Sequence, residues 1–178
     1  MCAAVWHTDS MVEWTEVKVA GGVDLRLVAS TAGIRAIEFG SRSASEDQRN
    51  DRNAILIEAA RQLRAYFAGA LREFLLPLDI DGTDFQKRVW GQVAAIPYGE
   101  TRSYLQIAAA LGSPGAVRAV GAANGANPVP IVVPCHRVIG ANGRLVGYGG
   151  GLALKKRLLE LEGCTSMSFP ITEPRAIQ

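Results

Sequence analysis

The chain changes character near residue 80, and this change constrains the fold more than any other feature of the sequence. Before it, residues 13–20, 23–30 and 33–40 carry β-branched residues and are separated by Gly or Ser. Short segments of this kind, bounded by turn residues, are typical of strands. We therefore predict a small antiparallel meander, followed by a polar loop over residues 41–51.

A helix and one more strand complete the first part of the chain. Residues 53–69 place apolar side chains at steps of four and end at Gly69, which predicts an amphipathic helix with Asn53 near its start. Residues 71–80 predict an edge strand, because Pro77 cannot donate to an interior ladder. Together these segments predict a compact α+β unit.

Short helices replace the strands after residue 80. Asp84 is predicted to cap a helix over residues 84–96, which has an apolar face. Thr101 or Ser103 is predicted to cap a second helix over residues 103–111.

A tight turn and a third helix, over residues 116–124, follow the second helix. Two short helices joined by a Gly-containing turn form a helix-turn-helix pattern, with the later helix in the recognition position. Arg118 is the only charged residue of this small, apolar helix, so the helix could approach a nucleic acid closely. Ordinary packing of a helical hairpin explains the same pattern.

The charge distribution follows the same division. Residues 1–80 hold 9 Lys and Arg against 11 Asp and Glu, whereas residues 81–162 hold 9 against 5, and the whole chain carries +2. The basic second half is a candidate polyanion binder, although surface variation explains the charge equally well.

Composition excludes several classes of protein. A chain of 178 residues that is 48% hydrophobic and 20% charged has the profile of a globular protein with a real core. No apolar run reaches the length of a membrane span, and the N-terminus lacks the features of a signal peptide, so we expect a cytoplasmic location and no membrane contact. Three cysteines are a poor disulfide framework, so we expect reduced thiols.

One of these cysteines lies in an unusual segment, PIVVPCHRVIG at residues 130–140. Three prolines at 128, 130 and 134 predict an extended arm outside any interior sheet, and this arm would deliver Cys135 to a fixed place. A thiol needs a base to react, and His136 is the candidate. Neighbouring side chains on an extended chain point opposite ways, so the pair needs a local turn or a bridging water. Glu162 is the best carboxylate to hold the imidazole.

Other interpretations of the Cys-His pair remain open at this point. It could be a buried small residue beside a satisfied polar one, or a cysteine protease or transferase of the Cys-His type, although no second histidine lies near and no oxyanion loop is apparent. A metal site is a poor fit, because the other potential ligands, Cys2, His7 and Cys164, are scattered at the ends of the chain.

The motifs together resemble a known family. PCHRV, preceded by RAVGAANGANPVPIVV and followed by GYGGGLALKKRLLELEG, resembles the O6-alkylguanine-DNA alkyltransferases, and LRAYFAG, DFQKRVW and IPYGETRSY extend the likeness over residues 62–163. The resemblance implies an α+β fold with a small N-terminal ribonuclease-H-like α/β domain over residues 1–80. A winged helix-turn-helix-like alkyltransferase domain would follow over residues 81–163, with a flexible tail over residues 164–178.

The resemblance implies a role for each catalytic residue. Cys135 matches the alkyl acceptor, and His136 matches the histidine that takes the thiol proton through a water. Glu162 matches the carboxylate that orients this histidine. Tyr104 matches the tyrosine that helps turn the nucleotide outward and gives a proton to the leaving base, and Asn127 matches the asparagine that ties the recognition helix to the cysteine arm.

A second set is implied to contact DNA or the damaged base. Arg118 matches the arginine that fills the space of the flipped nucleotide, and the Val138 carbonyl matches an acceptor for the guanine amino group. The implied contacts also include Ser103, Tyr104, Ala119, Tyr148 and Gly149. Many relatives carry serine at the position of Gly149, so we expect a roomier loop that tolerates alkyl groups larger than methyl.

The expected function is DNA repair by irreversible, single-turnover transfer of an alkyl group from O6-alkylguanine, and from O4-alkylthymine, to Cys135. The partner would be double-stranded DNA entered from the minor groove, and the protein would be a monomer that can cluster on DNA. No cofactor and no metal are implied. The alternative is a helix-turn-helix regulator with a thiol sensor; a binding-only relative is disfavoured because such proteins lack the cysteine.

Overall fold

A computed structural model describes residues 12–40 and 48–164 of the protein. The first part is a four-stranded sheet in the order β3-β2-β1-β4. The strands are β1 (Glu13–Val19), β2 (Val23–Ala29), β3 (Ile34–Phe39) and β4 (Gln48–Arg49). Pairing of β1 with β2 and of β2 with β3 is antiparallel, with Val17 opposite Leu25, which confirms the predicted meander.

The loop predicted over residues 41–51 is partly wrong. Gln48 and Arg49 form β4, which pairs parallel to the start of β1. These two polar residues carry no alternating apolar pattern, because their side chains are exposed and only their backbone completes the sheet. Residues 41–47 lie outside the described part of the chain.

Helix α1 (Ala54–Phe67) packs on this sheet. Asn53 caps it as predicted, and its side chain accepts hydrogen bonds from the backbone N–H groups of Ile55 and Leu56 at 2.9 and 3.1 Å. Capping of this kind satisfies N–H groups that the first helical turn leaves without partners. Gly69, at φ 73°, takes the left-handed conformation just beyond the helix end.

The edge strand predicted over residues 71–80 is wrong. Only one bridge forms, between Leu78 and Ile34 of β3, so the segment lies at the predicted sheet edge without becoming a strand. The side chain of Gln62, on α1, accepts a hydrogen bond from the Leu75 N–H at 2.8 Å and donates one to the Leu75 carbonyl at 3.0 Å. A side chain thus satisfies the Leu75 backbone, while Pro77, which has no N–H, only accepts a bond from the Ile34 N–H at 2.8 Å.

The second part is mainly helical, and its elements run from α2 to α5. They are α2 (Asp84–Ala94), β5 (Arg102–Ser103), α3 (Tyr104–Ala110), a 3-10 turn (Pro114–Ala116), α4 (Val117–Gly125), a second 3-10 turn (Cys135–Arg137), β6 (Val138–Ile139) and α5 (Leu152–Leu161). Helices α3 and α4 pack together as the predicted helix-turn-helix pair. The two-residue strands β5 and β6 pair in parallel, which joins the start of α3 to the segment after Cys135.

Two caps of these helices were predicted, one of them incorrectly. Ser103 caps α3, with Gln106 completing a capping box. Thr83 caps α2 in place of Asp84, because Gln86, three residues after Thr83, returns a bond to the Thr83 N–H at 2.8 Å. Asp84 is the first helical residue, where its charge still favours the helix N-terminus.

The main apolar core runs through both parts. It includes Leu27 and Leu63 from the sheet and α1, and Trp90, Ile107 and Val120 from the later helices. The indole of Trp90 donates to the carbonyl of Ala123 at 2.8 Å, which locks α2 to α4. The predicted α+β class, a small sheet domain followed by a helical domain, is confirmed. No helix within residues 12–40 and 48–164 has the length and apolar character needed to cross a membrane.

Candidate active site

The segment before Cys135 is a folded arm, so the prediction of a simply extended arm is wrong. Pro130 bridges Val133, and Ile131 between them has φ 77°. A β-branched residue rarely adopts this backbone conformation, so neighbouring contacts must hold it. Because the prolines cannot donate to a sheet, the chain turns back on itself instead.

Asn127 braces this folded arm. Its amide donates to the Val133 carbonyl at 2.8 Å, and its side-chain oxygen accepts from the Val129 N–H at 3.1 Å. One side chain thus links the chain just beyond α4 to the residues just before Cys135. The thiol is delivered into a 3-10 turn, where it is 6% exposed.

His136, next in the same turn, points to Glu162 at the end of α5. Its Nε2 atom lies 2.9 Å from Glu162 Oε1, and both side chains are fully buried. The Nδ1 atom has no hydrogen-bond partner among the described residues. With Nε2–H donating to the carboxylate, Nδ1 carries a lone pair and is available as a base.

Two further side chains hold Glu162, and neither was predicted from the sequence. Arg137 donates from Nε to Oε2 and from Nη2 to Oε1, each at 2.9 Å, and from Nη1 to the Ile96 carbonyl at 2.6 Å. The Tyr66 hydroxyl, from α1, donates to Oε1 at 2.5 Å. Arg137 follows His136 in the quoted PCHRV motif, and Tyr66 lies in the quoted LRAYFAG segment.

The electrostatics of the group favour an uncharged thiol and imidazole beside an ionised carboxylate. Burial raises the pKa of Cys135, although Asn127 and the charge of Lys155 oppose this effect. Burial lowers the pKa of His136, against the attraction of Glu162. Burial alone would raise the pKa of Glu162, but hydrogen bonds from His136 and Arg137 bring it to about 2. Proton transfer from Cys135 therefore has an acceptor that is neutral at physiological pH.

Cys135 opens onto a cavity of about 750 Å³. This volume suits a small organic ligand or a nucleobase. The walls come from both parts of the chain and include Ala36, Phe39, Tyr104, Val117, Asn124, Asn127, Cys135, Tyr148 and Gly149. Two buried polar atoms in these walls, Asn124 Oδ1 and the Tyr148 hydroxyl, have no partner among the described residues.

Lys155 holds the loop that closes the cavity, and it too was missed. Its buried Nζ donates to the carbonyls of Val138, Val146 and Gly147 at 2.6, 2.9 and 3.4 Å. Burial lowers the pKa of Lys155 to about 8. The predicted Val138 acceptor therefore already takes one hydrogen bond, and a carbonyl oxygen can accept a second.

Similar proteins give this geometry a family. A methylated-DNA–protein-cysteine methyltransferase from Mycobacterium leprae is 63% identical over 110 residues, which are 62% of this chain and 67% of the relative. The crystal structure of Mycobacterium tuberculosis O6-methylguanine methyltransferase has a TM-score of 0.79 at 45% identity and covers 89% of this chain and 96% of that one. The same organism's OGT in complex with DNA has a TM-score of 0.77 at 49% identity, covering 84% and 92%.

Two domain families divide the matched residues. The 6-O-methylguanine DNA methyltransferase ribonuclease-like domain matches residues 24–80, and the DNA binding domain of the same protein matches residues 84–164. This chain belongs to the 6-O-methylguanine DNA methyltransferase family. The predicted enzyme class, methylated-DNA–protein-cysteine methyltransferase, is thereby confirmed, together with DNA repair and DNA binding at the level of the family.

This family member brings some of the predicted site residues together and leaves others apart. Tyr104 lies in the cavity wall, where burial raises its pKa, and its hydroxyl is 3.4 Å from the Val146 carbonyl. Arg118 and Ala119 are exposed on α4 and do not line the cavity. The Ser103 side chain is occupied as the cap of α3.

The glycines of the GYGGG loop differ in what they permit. A Cβ on Gly149 would lie 3.7 Å from the Phe39 ring, which is ordinary contact. A Cβ on Gly150 would lie 2.7 Å from Leu154, and Gly151 has φ 84°. A Cβ therefore fits at 149, whereas one at 150 would require the Leu154 side chain to move, and a side chain at 151 would strain the backbone.

The remaining cysteine and metal predictions concern the ends of the chain. Residues 12–40 and 48–164 contain no cluster of three potential metal-binding side chains, and Cys2 and His7 lie outside these ranges. Cys164, the first residue of the predicted tail, is a free thiol buried with Leu145 and Leu159. The rest of that tail, residues 165–178, lies outside the described part.

Proposed function

We propose that this chain repairs DNA by moving the alkyl group of O6-alkylguanine, or of O4-alkylthymine, onto Sγ of its own Cys135. The observation that carries the proposal is that Cys135 lines a cavity large enough for a base, while the next residue, His136, forms a buried pair with Glu162. A nucleophile, a base and a group that orients the base are the parts that covalent catalysis requires.

The damaged base must leave the stack to reach this cavity, at a cost of about a few kcal/mol that is smaller for a mispaired lesion. Helix α4 offers small residues and the exposed Arg118 to the duplex. Small side chains allow close approach from the minor groove, and Arg118 would fill the gap left by the flipped nucleotide. Tyr104, at the cavity wall beside α4, would hold the nucleotide outward.

The thiol proton would pass through a bridging water to His136 Nδ1, which makes no hydrogen bond with any described residue. The resulting imidazolium donates from Nε2 to the ionised Glu162, so the new positive charge is stabilised. This route suits the structure because a buried thiolate needs a compensating proton shift before it forms.

In the transfer step, the Cys135 Sγ–carbon bond forms while the O6–carbon bond breaks, and the electron pair of that bond goes to O6. The leaving base takes a proton from the Tyr104 hydroxyl, which neutralises the developing charge. The product is a thioether, which His136 and Glu162 cannot cleave. Each molecule would therefore act once, and DNA itself supplies the alkyl group without a methyl-carrying cofactor.

Several finer features belong to the same proposal. The absence of a side chain at Gly149 would leave room for alkyl groups larger than methyl, since the position faces the cavity. The protein would bind DNA as a monomer and could cluster along it. The protein would act in the cytoplasm, where the thiols of Cys135 and Cys164 stay reduced. Its two domains would meet between residues 80 and 81.

The test is to incubate the full chain with a duplex that contains one O6-methylguanine and to weigh its peptides. The Cys135 peptide should gain the mass of one CH2, Cys135→Ala should leave the lesion in place, and Cys164→Ala should behave as the wild type. A methyl group on another residue, or removal of the lesion by Cys135→Ala, would overturn the proposal. DNA binding without transfer would favour the thiol-sensing regulator instead.

A further inference from the structure

The carboxylate of the relay is held partly by the ribonuclease-like part of the chain, which also contributes to the cavity wall. Tyr66 lies on α1, is fully buried, and is 96 residues from Glu162 in the sequence. Its hydroxyl reaches both members of the pair, at 2.5 Å from Glu162 Oε1 and 3.3 Å from His136 Nε2. One hydroxyl therefore contacts both a buried base and the carboxylate that orients it.

We propose that Tyr66 is a positioning residue of the proton relay, which holds His136 neutral with its proton on Nε2 and leaves Nδ1 ready to accept the Cys135 proton. The inference rests on the proposed transfer reaction and adds a function for the first domain. Tyr66 touches neither the thiol nor the cavity among the described contacts, so it acts through Glu162 and His136.

The direction of each hydrogen bond follows from the number of protons available. The phenol has one proton, and at 2.5 Å it donates this proton in a hydrogen bond to the ionised Glu162. Burial and the charge of Glu162 raise the pKa of Tyr66 far above its usual value, so this proton stays in place. Toward His136 the phenol oxygen can only accept, and it therefore shares the Nε2 proton with Glu162.

The Tyr66 hydroxyl also limits how strongly Glu162 stabilises a second proton on the His136 ring. A carboxylate that already accepts from Tyr66 and Arg137 has less negative charge to offer the imidazole. Removing the hydroxyl should make Glu162 a stronger partner for the imidazolium, so His136 should protonate at higher pH. The titratable and charged groups around His136 are Tyr66, Cys135, Arg137, Tyr148, Lys155 and Glu162.

The experiment compares Tyr66→Phe with the matched control Tyr98→Phe. Tyr98 also packs against Tyr66, with ring centroids 6.3 Å apart, but its hydroxyl donates to the Leu161 backbone carbonyl at 3.1 Å and not to the carboxylate. Each variant loses one phenol hydroxyl near Glu162; the Tyr66 side chain is buried and the Tyr98 side chain is half-buried. Only Tyr66→Phe should change the relay.

The readout is the single-turnover transfer rate from an O6-methylguanine duplex as a function of pH. Loss of a hydrogen bond to a charged group should move the acid limb upward by about one pH unit in Tyr66→Phe, a tenfold change in proton affinity. DNA affinity and the rate above the limb should stay within about threefold of the wild type, which a general loss of structure would not give. An unmoved or lowered limb, or an equal shift in Tyr98→Phe, would overturn the inference.

A second measurement does not depend on transfer at all. The chain has two histidines, so a ¹⁵N-histidine NMR titration of the His7→Gln background reports on His136 alone. The expected result is a protonated Nε2 and an unprotonated Nδ1, with a higher pKa in Tyr66→Phe; a proton on Nδ1 would refute the inference. If the wild type transfers no alkyl group but this NMR result is obtained, the proposed function is wrong while the role of Tyr66 toward His136 stands.

Should Tyr66→Phe not fold, 3-fluorotyrosine placed at position 66 keeps the ring and makes the hydroxyl a stronger donor. The pKa of His136 must then fall, because Glu162 is more fully satisfied. An unchanged pKa in that protein would overturn the role of Tyr66.

Discussion

Replacing Glu162 with glutamine tests how strongly the buried relay stabilises the fold. The substitution keeps the shape of the side chain but removes the charge that Arg137 neutralises at 2.9 Å. Breaking one partner of a buried ion pair leaves an uncompensated charge and costs about 3–5 kcal/mol. Both carboxylate oxygens are fully buried, so solvent screening reduces this effect little.

The pH dependence of this loss can be worked out from the pKa of Glu162. Its pKa is about 2 in the folded protein and 4.5 in its reference state, so the folded state favours the ionised form by about 3 kcal/mol at neutral pH, at about 1.4 kcal/mol per unit. Because the folded pKa is depressed, this stabilisation is complete above pH 4.5 and is lost as the pH falls toward 2. By pH 3 about half of it should remain.

Urea unfolding at several pH values measures the effect. The difference in unfolding free energy between the wild type and Glu162→Gln should be about 3 kcal/mol or more at pH 7 and shrink steadily from pH 5 to pH 3. Glu160→Gln is the matched control, since Glu160 is exposed and pairs only with Lys156 on the surface. A difference that stays constant with pH would refute the argument, because the charge of Glu162 would then not be what stabilises the fold.

Three further predictions follow from the cavity and α4. Tyr148→Phe should leave the free energy of unfolding, measured in urea, unchanged or raise it by up to about 1 kcal/mol, because the buried hydroxyl has no hydrogen-bond partner among the described residues. A loss of about 2 kcal/mol or more would show that the hydroxyl does make a hydrogen bond. Gly149→Ser should fold normally and lower the ratio of benzyl to methyl transfer rates, since its Cβ takes cavity space beside Phe39; an unchanged ratio would contradict the roomier loop. Arg118→Ala should slow transfer from duplex DNA at least tenfold but leave transfer from free O6-benzylguanine within about threefold, and equal slowing of both would exclude a role in base flipping.

Local patterns in the sequence predicted most of the fold. The three strands, α1 with its Asn53 cap, and the α3–α4 pair all follow from periodicity and capping over a few residues. The errors arose where a local pattern had two solutions. Thr83 and Asp84 can both cap a helix, and the Gln86 capping box decides between them. Residues 71–80 are apolar like a strand, but β3 gains only one bridge there.

The candidate site was predictable only in part, for a physical reason. Cys135 and His136 stand out because reactive side chains interrupt an apolar run, and Glu162 was the best carboxylate candidate to hold the imidazole, a role that the resemblance to a family also implied. Tyr66 and Lys155 look like ordinary helix residues in the sequence. Their roles depend on contacts with Glu162 and with loop carbonyls that only the folded chain brings together.

The most direct test of the account is the stoichiometry of methyl transfer. A known amount of protein is mixed with a large excess of duplex carrying one O6-methylguanine, and repaired guanine is counted after long incubation. Because the proposed mechanism has no step that cleaves the thioether on Cys135, repair should stop at one guanine per protein molecule, with the methyl group on Cys135. Continued repair beyond one equivalent, or a plateau with unmodified Cys135, would contradict the account.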